Sequence, residues 1–74
     1  MIMSRSAAEA YLRVNGEAAP LVARLADLLA AKGVTVPRGT AVAVNGAVVP
    51  ARAWGDVELH PGDEIEIVRP FGGG

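Results

Sequence analysis

Cysteine is absent from this chain of 74 residues, and histidine occurs once, at His60. The absence of cysteine excludes disulfides, thiolate metal ligands and a cysteine nucleophile, and one histidine does not make a metal site. We therefore expect neither a bound metal nor a cofactor held by this chain.

An excess of one charge and a long apolar run are also missing. Seven Lys and Arg residues stand against eight Asp and Glu residues, a formal net charge of −1, whereas nucleic-acid-binding domains carry a basic face. Residues 1–10 hold no continuous apolar stretch, and Arg24 and Asp27 interrupt the apolar region 21–31. We expect no nucleic-acid partner, no signal peptide, no membrane span and a cytoplasmic location.

Sequence signals of catalysis are missing too. A chain of this length forms one domain and buries roughly 60% of the surface that its unfolded form exposes, which leaves little room for an enclosed active site. No phosphate-binding loop motif is present, and no serine or carboxylate pair is spaced with His60 as in a catalytic triad. The sequence predicts a protein that is not an enzyme.

The N-terminal half contains a hairpin signal followed by a helical pattern. Tyr11–Val14 alternates apolar and polar residues and leads into Asn15-Gly16, a dipeptide typical of two-residue hairpin turns, so residues 17–19 are predicted to pair back. Leucines on one helical face and a glycine suited to end a helix then predict a helix over residues 21–32.

The C-terminal half is predicted to contain a strand with a short return, a less regular segment and a final strand. Residues 40–44 and 47–49 flank a second Asn-Gly turn. Residues 51–56 contain Trp54 and show no clear periodicity. After a turn marked by Pro61 and Gly62, residues 64–68 alternate apolar and acidic side chains, which predicts a strand with one face in water.

This order of elements predicts an α+β protein of the β-grasp (ubiquitin-like) architecture, with a mixed four- to five-stranded sheet and one main helix packed across it. The last strand then lies beside the first, in the middle of the sheet. We expect a flexible extension over residues 1–10, the domain over residues 11–70 and a flexible glycine tail over residues 71–74. The predicted core residues are Leu12, Val14, Leu25, Leu28, Leu29, Val42, Val44, Ile65 and Ile67.

The chain ends in the sequence RPFGGG, whose glycines have no side chain to bury and cost the most backbone entropy to order. Fully extended, residues 71–74 span at most about 13–14 Å, enough to carry the terminal carboxylate into a cleft of a partner. A glycine also fits a channel that a Cβ atom would block. The alternative is that the glycines are a frayed end or a remnant of expression without function.

The chain contains VNGE at 14–17, VAVNGAVVP at 42–50 with Trp54 after it, and PGDEIEIV at 61–68 before a terminal Gly-Gly. In this order these segments resemble the ThiS family of sulfur-carrier proteins of thiamine biosynthesis. The resemblance covers residues 11–74. The chain departs from the family pattern where Pro70 and Phe71 precede three glycines. It also departs in residues 1–10, which match nothing in the pattern.

The resemblance implies a chemistry centred on the C-terminus. An E1-like adenylyltransferase would use ATP to adenylate the Gly74 carboxylate, and sulfur from a cysteine-desulfurase-derived persulfide would then replace AMP and leave a thiocarboxylate. Thiazole synthase would receive this sulfur. Gly72 and Gly73 would thread into the partner, and Phe71 and Arg69 would contact it, since aromatic and arginine side chains dominate interface energies.

Other functions and roles remain open on the sequence. A small subunit of molybdopterin synthase shares the fold and the Gly-Gly end, and a ubiquitin-like modifier would instead join Gly74 to a lysine. A plain interaction domain is a further alternative. We interpret Trp54 as a structural anchor and His60 as an exposed turn residue.

Overall fold

The computed structural model describes residues 11–34 and 38–69. The predicted extension at residues 1–10 lies outside them. The elements, in chain order, are β1 (Tyr11–Val14), β2 (Glu17–Pro20), α1 (Leu25–Ala31), β3 (Ala41–Val44), β4 (Ala47–Val49), a 3₁₀ helix (Ala51–Asp56) and β5 (Glu64–Val68).

The five strands form one mixed sheet in the order β2-β1-β5-β3-β4. β5 runs parallel to β1 and antiparallel to β3, while β1 with β2 and β3 with β4 form antiparallel hairpins. The predicted architecture and the central place of the last strand are thus confirmed. Among the described strands, β5 is the one that joins the two hairpins.

Both hairpins turn at Asn-Gly dipeptides, as predicted. Asn15 and Asn45 have φ of 52° and 51°, and the glycine after each has φ of 85°. Two successive positive φ values are what a tight hairpin turn with the twist of its strands requires, and Asn and Gly adopt them most readily. The turns therefore fix the register of β1 on β2 and of β3 on β4.

The core lies between the sheet and α1. The alternation of side chains buries Leu12, Val14, Ile65 and Ile67 on one face of the sheet and exposes their neighbours. The buried hydrophobic residues are Leu12, Val14, Ala19, Leu25, Leu28, Leu29, Val42, Leu59, Ile65 and Ile67. The predicted core is confirmed except for Val44, which is half-buried and packs against it, whereas Ala19 and Leu59 were missed.

The predicted start of the helix at residue 21 is wrong. α1 begins at Leu25, and the backbone of Arg24 is extended, with φ of −127° and ψ of 145°. Leu25 donates its N–H to the Val57 carbonyl (3.0 Å) and Leu59 donates to the Ala23 carbonyl (2.8 Å). Because residues 23–25 pair with residues 57–59, their backbone groups are not available for an earlier helical turn.

The segment without clear periodicity, residues 51–56, is a 3₁₀ helix. Its Trp54 is half-buried against the core and donates its indole N–H to the Val49 carbonyl (2.9 Å). A buried tryptophan needs a partner for that N–H, so the interpretation of Trp54 as a structural anchor is confirmed.

Candidate functional site at the end of the central strand

The predicted site residues follow β5. Arg69 is the last residue that the structure describes before residues 70–74, and Phe71, Gly72, Gly73 and Gly74 lie outside the described residues. Their predicted roles, and that of Arg69 as a partner contact, stay predictions. What the structure defines is the place from which the C-terminal residues continue, at the end of the central strand.

The side chain of Asn15 extends the pairing of β1 with β5. Arg13 donates its backbone N–H to the Asp63 carbonyl (3.0 Å), and Asn15 donates its backbone N–H to the Ile65 carbonyl (2.8 Å). One step further, Ile67 donates its N–H to Asn15 Oδ1 (2.8 Å), and Asn15 Nδ2 donates to the Ile67 carbonyl (3.2 Å). A side-chain amide thus takes the place of a further peptide group of β1.

Helix α1 ends in a Schellman motif close to the end of β5, and we call this region, where the end of α1 meets the end of β5, the junction. Gly33, with φ of 85°, donates its N–H to the Ala30 carbonyl (3.0 Å), and Val34 donates to the Leu29 carbonyl (2.8 Å). These two bonds satisfy carbonyls that the helix leaves without an internal partner.

Arg69 binds a further carbonyl at this end of α1. Its guanidinium donates to the Lys32 carbonyl, at the helix end where a cation is favourable. A Cβ atom built on Gly33 would lie 3.9 Å from the guanidinium, which is ordinary contact. Arg69 directly follows β5, so this bond connects the end of β5 to the C-terminal end of α1.

An open groove with a volume of about 460 Å³ borders this junction. Its charged side chains are those of Lys32 directly after α1, Glu17 in the first hairpin and Arg69 directly after β5. Its lining residues are Val14, Asn15, Glu17, Lys32, Ile67 and Arg69. The chain therefore continues toward residue 70 beside an accessible groove.

The face of the sheet opposite α1 carries an apolar patch, which we define as Ala41, Ala43, Val48 and Val68. Val48 and Val68 are 76% and 63% exposed. The register places Ala41 opposite Val68 and Ala43 opposite Val48. Large exposed aliphatic side chains that lie together mark interaction surfaces.

Acidic side chains border the apolar patch on β5. Glu64 and Glu66 are exposed on the same face, where Glu66 lies opposite Ala43 on β3 and Glu64 lies opposite Arg13 on β1. The face is thus apolar over β3, β4 and the end of β5, and acidic at Glu64 and Glu66.

The other end of β5 is held by a second asparagine. Glu64 donates its N–H to Asn45 Oδ1 (2.9 Å), and Asn45 Nδ2 donates to Asp63 Oδ1 (3.1 Å). His60 donates its backbone N–H to Asp63 Oδ2 (2.8 Å), and its Nδ1 lies 3.7 Å from the same oxygen. Burial acts to raise the pKa of Asp63, but the bonds from Asn45 and His60 and the charge of protonated His60 outweigh it and lower this pKa.

The side-chain roles of Asn15 and Asn45 were missed from the sequence, where both residues were interpreted only as turn formers. A signal existed in their pairing, since an Asn-Gly turn follows both strands that neighbour β5. His60 is exposed in its turn, as expected. Within residues 11–34 and 38–69, no cluster of three or more potential metal ligands is found, and none of the helices there is long and apolar enough to cross a membrane.

Comparison with known proteins agrees with the fold. The ThiS family profile matches residues 12–74, so the chain belongs to the ThiS family. The crystal structure of the thiamine biosynthesis protein ThiS from Geobacter metallireducens is similar, with a TM-score of 0.69 and 28% sequence identity over 86% of this chain and 99% of that one. No curated protein sequence matches significantly. The family and the structural similarity support a role in thiamine biosynthesis as a sulfur carrier rather than as a catalyst.

Proposed function

We propose that Gly74 carries the sulfur as a C-terminal thiocarboxylate. An E1-like adenylyltransferase transfers AMP from ATP to the Gly74 carboxylate and releases pyrophosphate. A persulfide sulfur, supplied through a cysteine desulfurase, then attacks the carbonyl carbon and AMP leaves. A thiol then attacks the sulfur that is not bonded to the carbonyl carbon, forms a disulfide with it and releases the thiocarboxylate. Thiazole synthase takes up the thiocarboxylate sulfur for the thiazole ring of thiamine.

The activation step follows from the weak electrophilicity of a carboxylate. Acyl-AMP has a good leaving group, so a sulfur nucleophile attacks its carbonyl carbon far more readily. Since the chain contains no cysteine, no thiol of its own competes for the activated carbonyl or for the sulfur. The ATP and the catalysis then belong to the partner enzymes.

The observation that carries the proposal is the position of β5. This strand is paired on both sides by β1 and β3, and it leads within two residues to the Pro-Phe-Gly-Gly-Gly end of a ThiS family chain. A rigid strand in front of a run of glycines combines a defined origin with a tail thin enough for a narrow channel.

The apolar patch is the surface on which we propose that the activating enzyme docks. Val68 belongs to the patch and directly precedes Arg69, so a partner seated there also meets the residues that lead to Gly74. Phe71 and Arg69 are the proposed anchors. We expect basic side chains of the partner to face Glu64 and Glu66, since complementary charge favours the right partner and speeds association.

Intact-mass spectrometry tests the proposal. The chain is incubated with the cognate E1-like enzyme, ATP, a cysteine desulfurase and cysteine. We expect the mass gain that corresponds to replacement of one oxygen by one sulfur, and loss of that gain when thiazole synthase and its substrates are added. Sulfur transfer only to a molybdopterin synthase large subunit, or an isopeptide between Gly74 and a lysine, would support the alternative functions instead.

Variants of the last residue locate the reaction. Gly74→Ala places a methyl group beside the reacting carbonyl, and we expect ATP–pyrophosphate exchange to fall by at least about a hundredfold, since misplacement of reacting groups by about 1 Å has this effect. Deletion of Gly74 tests the reach of the tail, because Gly72 and Gly73 keep a Gly-Gly end that is one residue shorter. We expect adenylation of this shortened chain to fall as well, and an unchanged rate would mean that reach is not limiting. Adenylation of Gly74→Ala at the wild-type rate would contradict the terminal-carboxylate mechanism.

A further inference from the structure

The two Asn-Gly turns are alike in backbone but hold opposite ends of β5. Their asparagines have φ of 52° and 51°, and each binds β5 through its side-chain amide. Asn45 bonds to Glu64, at the start of β5, whereas Asn15 bonds to Ile67, one residue before its end. Only the second of these contacts lies next to the C-terminal residues.

We propose that Asn15 is a positioning residue that fixes the end of β5 and thereby the direction in which the chain leaves the sheet toward its terminal carboxylate. This inference rests on the proposed activation of Gly74. Within the described residues, the Asn15 side chain makes its hydrogen bonds to Ile67 and not to a residue of the apolar patch, so we infer that it acts through Ile67.

Unequal support on the two sides of β5 carries this inference. On the β3 side, pairing continues to the end of the strand, with Ala41 opposite Val68. On the β1 side, the register ends at Val14 opposite Ile65. Among the described residues, the hydrogen bonds that hold β5 beyond that point on this side are the two with the Asn15 amide, one donated and one accepted by it. Removing the amide therefore leaves the end of β5 held by β3 on one edge.

The bond from Arg69 to Lys32 acts just beyond the Asn15 amide. It joins the first residue after β5 to the end of α1, so the two contacts together orient residues 67–69. A strand end held on both sides leaves the sheet in one direction, whereas a strand end held on one side pivots about the remaining ladder. Since a partner channel accepts the tail from one direction, we expect such pivoting to slow the reaction after docking while docking itself is unchanged.

The test compares Asn15→Gly with Asn45→Gly. Glycine adopts the positive φ of both positions without strain, so each variant loses the side-chain bonds and keeps the turn. Steady-state adenylation is measured with the E1-like enzyme over a range of carrier concentrations, below the melting temperature of either variant. Amide hydrogen exchange at Ile67 and Glu64 reports which end of β5 each substitution loosens.

For Asn15→Gly we expect kcat to fall at least about tenfold with little change in KM, since a small misplacement of reacting groups suffices. For Asn45→Gly we expect kcat close to that of the wild type. Exchange should accelerate at the Ile67 amide in the first variant and at the Glu64 amide in the second. If Asn15→Gly does not fold, Asn15→Asp takes its place, because it keeps the acceptor for the Ile67 N–H and sets an oxygen against the Ile67 carbonyl.

Equal losses of kcat in the two glycine variants, or an unchanged kcat in the Asn15 variants, would overturn the inference and leave the proposed function standing. A rise in KM alone would also overturn it, because it would assign Asn15 to the docking surface. A wild-type chain that is not adenylated would overturn the proposed function and this inference together.

Discussion

Leu28→Ala is the sharpest test of the packing of α1 on the sheet. Leu28 is 3% exposed and belongs to the core cluster together with Leu25 and Leu29. The substitution removes buried carbon atoms and leaves a cavity, which costs about 2–5 kcal/mol in comparable cores. No hydrogen bond of the described side chains involves Leu28, so the loss measures packing.

The expected loss is large beside the stability of so short a chain. At about 0.05–0.15 kcal/mol per residue, 74 residues give a free energy of unfolding of about 4–11 kcal/mol. For a domain of this size, each 1 kcal/mol lowers the melting temperature by about 4–8 °C. A loss of about 3 kcal/mol therefore lowers the melting temperature by about 12–24 °C.

Urea denaturation, followed by tryptophan fluorescence, measures the change in the free energy of unfolding. Trp54 is the one tryptophan of the chain and packs against the core, so its emission reports unfolding. Leu21→Ala is the matched control, because it removes the same atoms at a position that is 38% exposed and lies before α1. We expect it to lower the free energy of unfolding by less than about 1 kcal/mol.

The comparison of the two leucines can refute the assignment of the buried helix face. Equal losses for Leu28→Ala and Leu21→Ala would mean that Leu21 packs on the core in solution, as a helix beginning at residue 21 would require. A change in the slope of the free energy of unfolding against urea concentration, rather than in the midpoint, would point to an altered compactness of the unfolded or native state.

Three further predictions concern the surface and the turn before β5. Phe71→Ala should weaken binding to the E1-like enzyme by about 1 kcal/mol or more at an unchanged melting temperature, and unchanged affinity by calorimetry would remove Phe71 from the interface. Val48→Asp, at a position that is 76% exposed, should weaken the same binding, with Ala51→Asp outside the patch as its control. Because the folded-state pKa of Asp63 lies below its ordinary value of 3.8, its ionised form stabilises the fold above that pH, and this contribution is lost as pH falls through the lowered pKa. Asp63→Asn should therefore flatten the acid limb of the stability profile, and an unaltered limb would contradict the bonds from Asn45 and His60.

The sequence predicted those parts of the fold that follow from local patterns. The alternation of residues 64–68 marked Ile65 and Ile67 as inward-facing, and the Asn-Gly dipeptides located both hairpin turns, because each signal depends on neighbouring residues alone. The ThiS resemblance then anticipated the family.

The parts that the sequence did not reveal depend on contacts between distant residues. The helix begins at Leu25 rather than at residue 21 because residues 23–25 pair with residues 57–59. The Asn15 amide and Ile67 are likewise 52 residues apart in the sequence. Such contacts leave no periodicity in either segment. The leucine pattern therefore predicted a helix but not its start, and the Asn-Gly dipeptide predicted a turn but not the bonds of the Asn15 side chain.

The central position of β5 also bears on how the protein is made. Within the sheet the two hairpins are joined through β5, and β5 lies at the C-terminal end of the described residues. During synthesis, which proceeds from the N-terminus at about 5–20 residues per second, both hairpins are complete before the strand between them exists. A nascent chain that stops before Glu64 lacks the strand that joins the two hairpins, so its sheet cannot close. We therefore expect chains that stop before Glu64 to be cleaved by proteases faster than chains that contain β5.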